Sequence, residues 1–406
     1  MGYKVSAFKG VSWIGILRMS TRAITFVRLA ILARILTPAQ FGVFGVASLV
    51  LAFLEVLTET GINVFLIQKK EESGSYINSA WIVSILRGCI LAFALVIFAP
   101  FIANFFNSQE SKSLIILIAL VPFIRGFINP SIINIQKDIQ FHKEFYLRVT
   151  LFGLDGLIAI ITAFVTKSAE SMVYGLIASA ILEVILSFVL FDPRPKIVLE
   201  LEKIKHIIRR GWWVSLSGIF SYFADNGDNI AVGKIMGVSP LGIYQTAYKL
   251  STIPISEITE TVNKVTFPLY SKLSEDRERL LRAFYKVSAT STFTALVLGL
   301  FIFIFAEPLV RIILGPNWLA AIPVIKVLSF YGILRTAFGN FSSLFLACEK
   351  QNYVATMTFV RLAALLLVIV PLISVYGMVG AGYAMLVSIL AEVPFVLYFF
   401  TRIKRL

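Results

Sequence analysis

Arg34-Ile35-Leu36-Thr37-Pro38-Ala39-Gln40-Phe41-Gly42-Val43-Phe44 has a counterpart about 200 residues further on: Lys234-Ile235-Met236-Gly237-Val238-Ser239-Pro240-Leu241-Gly242-Ile243-Tyr244. In each copy a basic residue closes an apolar stretch, a turn with proline follows, and a second apolar stretch opens. The prolines are two residues out of step, yet the flanking residues stay in register. Further out, Trp13 answers to Trp213, and Leu57-Thr58-Glu59-Thr60 to Ile258-Thr259-Glu260-Thr261. Phe123-Ile124-Arg125 answers to Ile333-Leu334-Arg335, and Gln136-Lys137 loosely to Glu349-Lys350. The chain is a duplication. Duplicated membrane proteins have a seam between their halves, and transporter substrates bind there near the bilayer midplane.

Composition places the repeat in a membrane. Of the 406 residues, 58% are hydrophobic and 15% charged, and mean hydropathy is +0.85. Soluble domains carry about 25% charged residues. Apolar stretches recur from end to end, each near the roughly 20 residues a spanning helix needs. The spacing predicts helices over 9–36, 40–66, 78–106, 112–136, 144–166, 171–191, 211–236, 240–268, 284–314, 318–347, 352–375 and 378–402. The expected fold class is an all-α polytopic membrane protein, with twelve transmembrane helices in two pseudo-symmetric six-helix lobes around a central cavity. The expected division is a first lobe over 1–192, an amphipathic cytoplasmic linker over 193–210 and a second lobe over 211–406.

Alternate loops differ in charge. One set is rich in lysine and arginine, and the other holds only Lys112 and Lys167. The positive-inside rule then puts both termini in the cytoplasm. Much of the net charge of +14 is read as this topological signal, so no nucleic-acid partner is expected. The first apolar stretch is broken by Arg18, Arg22, Arg28 and Arg34, unlike the h-region of a signal peptide. Two cysteines and two histidines, all far apart, offer neither a disulfide framework nor a metal-ligand set. No catalytic constellation appears, so neither an enzyme nor a cofactor is expected.

Charges inside spans are expensive, about 2.5–3.5 kcal/mol at the bilayer centre, and they face a partner or water. Span 1 carries arginine and no acid. Arg18 and Arg22 lie one turn apart on one face, with Arg28 within about 120° of them. Arg34 lies near the outer end, where it can snorkel. Arg125 and Arg335, at repeat-related places in spans 4 and 10, suit either two walls of one cavity or ion pairs with acids such as Asp155 and Glu183. Arg87, Lys249 and Arg361 are shallower. Asp225-Asn226-Gly227-Asp228-Asn229 interrupts span 7 with polar residues. It suits irregular backbone beside a cavity, with two carboxylates that share a proton or hold a small cation, or else salt bridges to Lys234 or to span 1. Glu59 and Glu260, and likewise Glu183 and Glu392, suit structural pairing within their lobes. Acids and bases are nearly equal in number across the spans, so only the unaccompanied arginines of span 1 lean toward an anionic ligand.

The residues Arg28-Leu29-Ala30-Ile31-Leu32-Ala33-Arg34-Ile35-Leu36-Thr37-Pro38, followed by Phe41-Gly42-Val43-Phe44, Glu59-Thr60-Gly61-Ile62, Ile135-Gln136-Lys137-Asp138-Ile139-Gln140-Phe141, Gly211-Trp212-Trp213 and Asp228-Asn229, carry a family resemblance. The chain resembles the Wzx-type O-antigen and exopolysaccharide flippases. These form the polysaccharide-transport branch of the multidrug/oligosaccharidyl-lipid/polysaccharide exporter superfamily. The resemblance implies a V-shaped pair of lobes, alternating access, and a polyprenyl-diphosphate-linked oligosaccharide moved from the inner to the outer leaflet of a bacterial or archaeal cytoplasmic membrane. It implies Arg18, Arg22, Arg28, Arg87, Arg125 and Arg335 as substrate-binding residues, and it fits Asp225, which with Asp228 forms the ion-coupling pair read from span 7. Glycan polymerase and chain-length proteins are the partners it suggests, besides membrane lipid. An acid in span 7 contributes to a sodium site in some relatives. The partner acids in span 11 are missing here, where Thr356, Thr358 and Arg361 stand, which weighs against sodium and leaves protons or the membrane potential open. The chemistry agrees, since guanidinium groups bind phosphate oxygens bidentately. Trp213, Tyr222, Asn226, Tyr244, Gln245 and Tyr248 offer aromatic and amide surface for sugar. The rival readings are a cation-coupled multidrug exporter, which would want acids in place of the span 1 arginines; a glycan polymerase or membrane glycosyltransferase, which would want a sizeable exterior loop or a surface metal-binding acid motif; and a scaffold within a polysaccharide assembly complex.

Overall fold

The computed structural model describes residues 2–58, 73–138, 140–198 and 200–405, with backbone alone at 2–12, 14, 73–75, 136, 201–217, 258–261, 263–265, 267 and 405. Glu59 and the Glu59-Thr60-Gly61-Ile62 motif lie outside the described residues, as do the side chains of Glu260 and Trp213. The described regular structure is helical. Two compact units divide at Ile219 and Phe220.

In the first unit, α1 (Gly2–Ile35) leads into α2 (Pro38–Leu57) through the turn that the repeat marks. Thr37 caps α2 in a capping box: its Oγ1 accepts from Gln40 N–H at 3.3 Å, and Gln40 Oε1 accepts from Thr37 N–H at 2.8 Å. Pro38 stands at the first helical position, where its missing N–H is not needed. Helix α3 follows (Ser73–Phe105). The expected continuous helix over 112–136 is instead α4 (Glu110–Ile118), α5 (Leu120–Arg125) and then short turns. Pro130 holds Asn129 in an extended conformation, φ −65° and ψ 117°, and the helix cannot pass it. The buried Asn129 then ties this break to the last helix of the unit. Its N–H donates to Ser187 Oγ, and its Nδ2 donates to the carbonyls of Ser187 and Phe191.

Helices α6 (Phe141–Thr166) and α7 (Glu170–Leu190) form an antiparallel hairpin. Arg148 meets Glu183, Asp155 lies beside Gly175, and Thr162 donates to Ser171 O. Helix α1 runs parallel to α6. Trp13 packs on Phe145 and Tyr146, Arg28 meets Asp155, and Gln40 just past the helix end donates to Lys167 O. Parallel neighbours with reversals between them are what alternating crossings require. Glycine lets α7 approach: a Cβ at Gly175 would lie 2.5 Å from both the carbonyl oxygen and Oδ1 of Asp155. At this crossing the Arg28 guanidinium bonds Asp155 Oδ2 and also donates to Met172 O at 3.2 Å. The side chains are only 17% and 8% exposed.

In the second unit, α8 (Leu201–Met236), which begins in the first, runs unbroken through Asp225-Asn226-Gly227-Asp228-Asn229. The expected irregular backbone there is absent, for two reasons. Asn226 Nδ2 donates to Tyr222 O one turn back, a bond that leaves the helical ladder whole. Gly227 keeps helical geometry and lets Leu365 come close, 3.4 Å from where a Cβ would sit. The repeat-related turn is built differently in this copy. Helix α9 (Val238–Ser251) restarts 200 residues after Pro38, but its cap is Gly237 at φ 89°. Pro240 has moved inward, still within the first turn, where no intrahelical N–H is spent. After Thr252, α10 (Ile253–Leu273) continues the direction behind Pro254. Helix α11 (Arg277–Ile304) ends ten residues before the expected 314. Short turns over 306–321 follow, seating the wholly buried Trp318. Arg311 therefore stands beyond the helix, paired with Glu307.

Helix α12 (Ile322–Ala347) packs antiparallel to α11 through Phe330 on Phe303, Ile333 against Gly299 and Asn340 on Ser291. Helix α13 (Gln351–Arg405) is two limbs folded back at Gly377, φ 59° and ψ −138°. Tyr353 stacks on Phe399 at 4.1 Å, Arg361 meets Glu392, and a Cβ at Gly380 would fall on Leu372 O. Among the described residues, seven helices are long and apolar enough to cross a membrane, with the folded α13 counted once. Those outside that set are the charge-bearing α1 and α8 and the interrupted α4–α5 and α9–α10.

Two outcomes are expected from the α1–α6–α7 crossing. Gly175→Val should lower the thermal unfolding midpoint in detergent by an amount matching about 1–3 kcal/mol of overpacking. Gly153→Ala, in open space on α6, should leave it unchanged. Asp155→Leu alone strands a buried guanidinium and should cost about 3–5 kcal/mol. The double variant Arg28→Met/Asp155→Leu should recover most of that stability. Equal losses in single and double variants would show that the two residues are not coupled.

Candidate functional site

Polar groups inside the helices form separate pairings in the first unit, and one connected network beside a buried carboxylate in the second. In the first unit, Arg18 is half-buried and Arg22 exposed, one turn apart on α1. Between them and Arg28, Thr21 and Thr25 bond back to Leu17 O and Thr21 O, so their hydroxyls are turned to the helix itself. Arg28 is committed to Asp155 and to the α7 backbone, as described above. Arg87 on α3 donates from Nη2 to Glu55 O at 2.8 Å and from Nε to Thr58 Oγ1 at 3.1 Å. These groups are at the end of α2, where orphan carbonyls and the helix dipole favour a cation. Arg125 closes α5 and faces Glu183 at 3.6 Å. Arg148 faces the same carboxylate from α6 at 3.1 Å. The six arginines expected to bind substrate thus divide. Arg28 and Arg87 brace neighbouring helices, Arg125 shares an acid with Arg148, and Arg18 and Arg22 stand together on α1. Arg335 belongs to the other unit.

In the second unit, Arg335 on α12 is the hub. Its Nη1 donates to Tyr248 OH at 2.9 Å and to Tyr331 OH at 3.4 Å, and its Nη2 donates to Asp225 Oδ1 at 3.2 Å. Arg361 on the first limb of α13 also approaches Asp225, at 3.9 Å, and lies 3.4 Å from Glu392 on the second limb. Two cations and two carboxylates from α8, α12 and both limbs of α13 form one balanced network. Asp225, at 43% exposed, is its open member.

Asp228 shares a helix with Asp225 but sits in different surroundings. It is wholly buried. Its Oδ2 accepts from Tyr244 OH at 2.8 Å, and its Oδ1 accepts from the N–H and Nδ2 of Asn229 at 2.8 and 3.0 Å. Its partners are neutral hydroxyl and amide donors. Tyr244 and Tyr222, expected to offer surface to sugar, are buried instead, because Tyr244 serves Asp228 and α9 packs inward there. Tyr248 is spent on Arg335. Among the described residues no group of three or more His, Cys, Asp or Glu is placed to hold a metal ion.

Sequence reasoning missed Arg148, which counts as one more basic residue in a topological tally. It also gave Arg361 too little weight. For Arg361 a signal existed: an arginine in the middle of an apolar stretch, with Glu392 as a partner at matching depth in the next stretch. For Arg148 there was none, because its role depends on which helices lie beside α6.

The chain is 27% identical over 395 residues to an uncharacterized membrane protein in the cps region of Klebsiella pneumoniae, covering 95% of this chain and 80% of that one. It is 24% identical over 358 residues to the lipopolysaccharide biosynthesis protein WzxC of Escherichia coli, covering 87% and 72%. Among solved structures, the lipid II flippase MurJ in an inward closed conformation superposes with a TM-score of 0.78 at 16% identity, over 95% of this chain and 87% of that one. An inward-facing multidrug resistance transporter of the MATE family gives 0.73 at 16% identity, over 96% and 98%. At these identities the likeness to solved structures shows the fold alone. The family model described as polysaccharide biosynthesis protein matches residues 31–323, and the chain, a multi-pass membrane protein, belongs to that family.

Proposed function

We propose that this protein is a flippase. It moves a polyprenyl-diphosphate-linked oligosaccharide, an O-antigen or exopolysaccharide unit, across the cytoplasmic membrane by alternating access. One observation carries this reading within a polysaccharide biosynthesis family: span 1 bears arginines and no acid, and two of them, Arg18 and Arg22, stand together on α1. A diphosphate presents several acceptor oxygens and about two negative charges, which guanidinium forks match. We read α1, α4–α5, α8 and α9–α10 as crossings alongside the more apolar helices, and α13 as two. That makes twelve spans in two lobes of six, with both termini inside. The name of WzxC and that of the lipid II flippase MurJ fit this class of substrate. Glycan polymerase and chain-length proteins are the expected partners.

The fold is shared with MATE multidrug transporters, so a cation-coupled drug exporter is the second reading. It calls for acids where α1 carries arginine. For coupling, Asp225 and Asp228 remain the candidates, and their surroundings divide the work. Asp225 is held by Arg335 and Arg361 and needs no further cation. Asp228 has only neutral donors, so a proton is the partner that changes its charge.

Arg22→Ala and Arg18→Ala should each abolish glycan export in a cell lacking its own flippase, with membrane insertion intact by immunoblot. Wild-type export from a well-inserted double variant would remove both from the site. Asp228→Asn should make residual export insensitive to a protonophore, whereas Asp225→Asn should lower export while keeping that sensitivity. Unchanged protonophore response in Asp228→Asn would return Asp228 to a structural role.

A further inference from the structure

Glu183 is a buried carboxylate, 9% exposed, reached by two guanidinium groups from different helices. Arg148 Nη1 donates to its Oε1 at 3.1 Å, and Arg125 Nε lies 3.6 Å from its Oε2. Both arginine side chains are 40% exposed, so the cluster is buried on its acid side and open on its basic side. Glu183 faces both guanidiniums, and the Asp155 carboxylate, already bonded to Arg28, also acts on Arg125, so three guanidiniums meet two carboxylates. The two guanidiniums carry roughly ten N–H donors between them. Among the described residues they make one hydrogen bond, and Arg125 Nε is buried with no acceptor in range. Such a surplus of oriented donors beside a net positive charge suits an anion with several oxygens.

The local structure holds this arrangement in place. The helix break at Gly126–Pro130 ends α5 at Arg125, and Asn129 fastens that break to Ser187, one turn beyond Glu183. The depth is informative. Arg148 lies seven residues into α6 from Phe141, and Glu183 seven residues before Leu190. At 1.5 Å per residue, each is about 10 Å from the helix ends that join the basic loops. The interfacial layer is about 5–8 Å thick on each side of the hydrocarbon. An open guanidinium on a long stem at this depth reaches the phosphate level of the lysine-rich leaflet.

We propose that Arg125 and Arg148, held by Glu183, form a docking subsite for the diphosphate of a prenyl-linked substrate at the cytoplasmic boundary of the first unit. This rests on the flippase reading and adds a place where the lipid headgroup is held before it is carried across. Glu183 is a positioning residue that aims the two arginines and competes with the incoming diphosphate for them. The lipid diphosphate and free pyrophosphate share the chemistry the site recognises, and the prenyl tail separates them.

The test is binding of farnesyl diphosphate to the purified full-length protein in phosphatidylcholine nanodiscs, with farnesol, inorganic pyrophosphate and phosphatidylglycerol as comparators. The wild type should bind farnesyl diphosphate at least tenfold more tightly than pyrophosphate, and farnesol not measurably. Arg148→Gln and Arg125→Gln should each weaken binding about tenfold. Glu183→Gln, which releases both guanidiniums at constant shape, should tighten binding several-fold. That gain is the opposite of what a purely structural ion pair would give. If Arg148→Gln fails to fold, Arg148→Lys keeps the charge without the fork and should weaken binding by a smaller factor. Wild-type binding that none of these substitutions alters would overturn the subsite and leave the flippase reading standing. Displacement by phosphatidylglycerol would assign the site to bulk lipid and also overturn it. Equal wild-type affinity for farnesol and farnesyl diphosphate would count against the flippase reading itself.

Discussion

A charge inside a hydrocarbon layer must be matched by another charge, by a polar side chain or by water. This protein is organised by how it meets that requirement. Arg28 has to find Asp155, and in doing so it locks α1 to the α6–α7 hairpin. Glycine at 175 then becomes necessary, because only a bare backbone lets α7 close on that carboxylate. In the second unit, Arg335, Asp225, Arg361 and Glu392 tie α8, α12 and both limbs of α13 into one network. In lipid, apolar contact between helices brings little hydrophobic gain, so polar pairs and close packing set helix positions.

The two repeats solve the same problem with different charge balances. Arg125 and Arg335 occupy equivalent places, yet Arg125 shares Glu183 with Arg148, while Arg335 is met by Asp225 and two tyrosine hydroxyls. The first unit is left with surplus positive charge on its open side. The second is neutral within its network and keeps Asp228 apart, supplied by Tyr244 and Asn229 alone. The two frames thus set equivalent arginines among different partners. The divergence reaches the backbone as well. The turn after α1 is capped by Thr37 and Gln40, whereas its equivalent before α9 relies on the positive φ of Gly237.

Much of the fold was legible before any coordinates. Thr37-Pro38 and Gly377 marked turns that the chain makes, since proline and glycine act through local backbone geometry. The continuous helix expected over 112–136 failed at Asn129-Pro130, where the apolar pattern persists and hides a local veto on helix. The polar run at 225–229 was expected to break α8 and does not: Asn226 bonds back to Tyr222 O, Gly227 keeps helical geometry, and the two carboxylates find partners on α9, α12 and α13. The candidate residues were legible as polar groups within apolar stretches, and most of their partners were not. Arg28 and Arg87 read as ligand-binding arginines, and the structure spends them on Asp155 and on the end of α2.

The sequence by itself determined that this is a helical membrane protein, that one stretch of it recurs about 200 residues on, and that arginine without acid marks its first helix. These follow from composition, periodicity and self-similarity, all local properties of the chain. The sequence offered Asp155 and Glu183 as acids for Arg125, and Glu183 meets it; that Arg28 takes Asp155 and that Arg148 shares Glu183 was decided only by the tertiary structure. Arg148 and Glu183 are far apart in the chain and carry no mutual signature. They meet because α6 and α7 fold back on each other at the depth where both lie, and Arg125 joins them because a proline stops α5 one turn away. An ion pair between helices depends on their register, and register is fixed by packing that no single stretch of sequence contains.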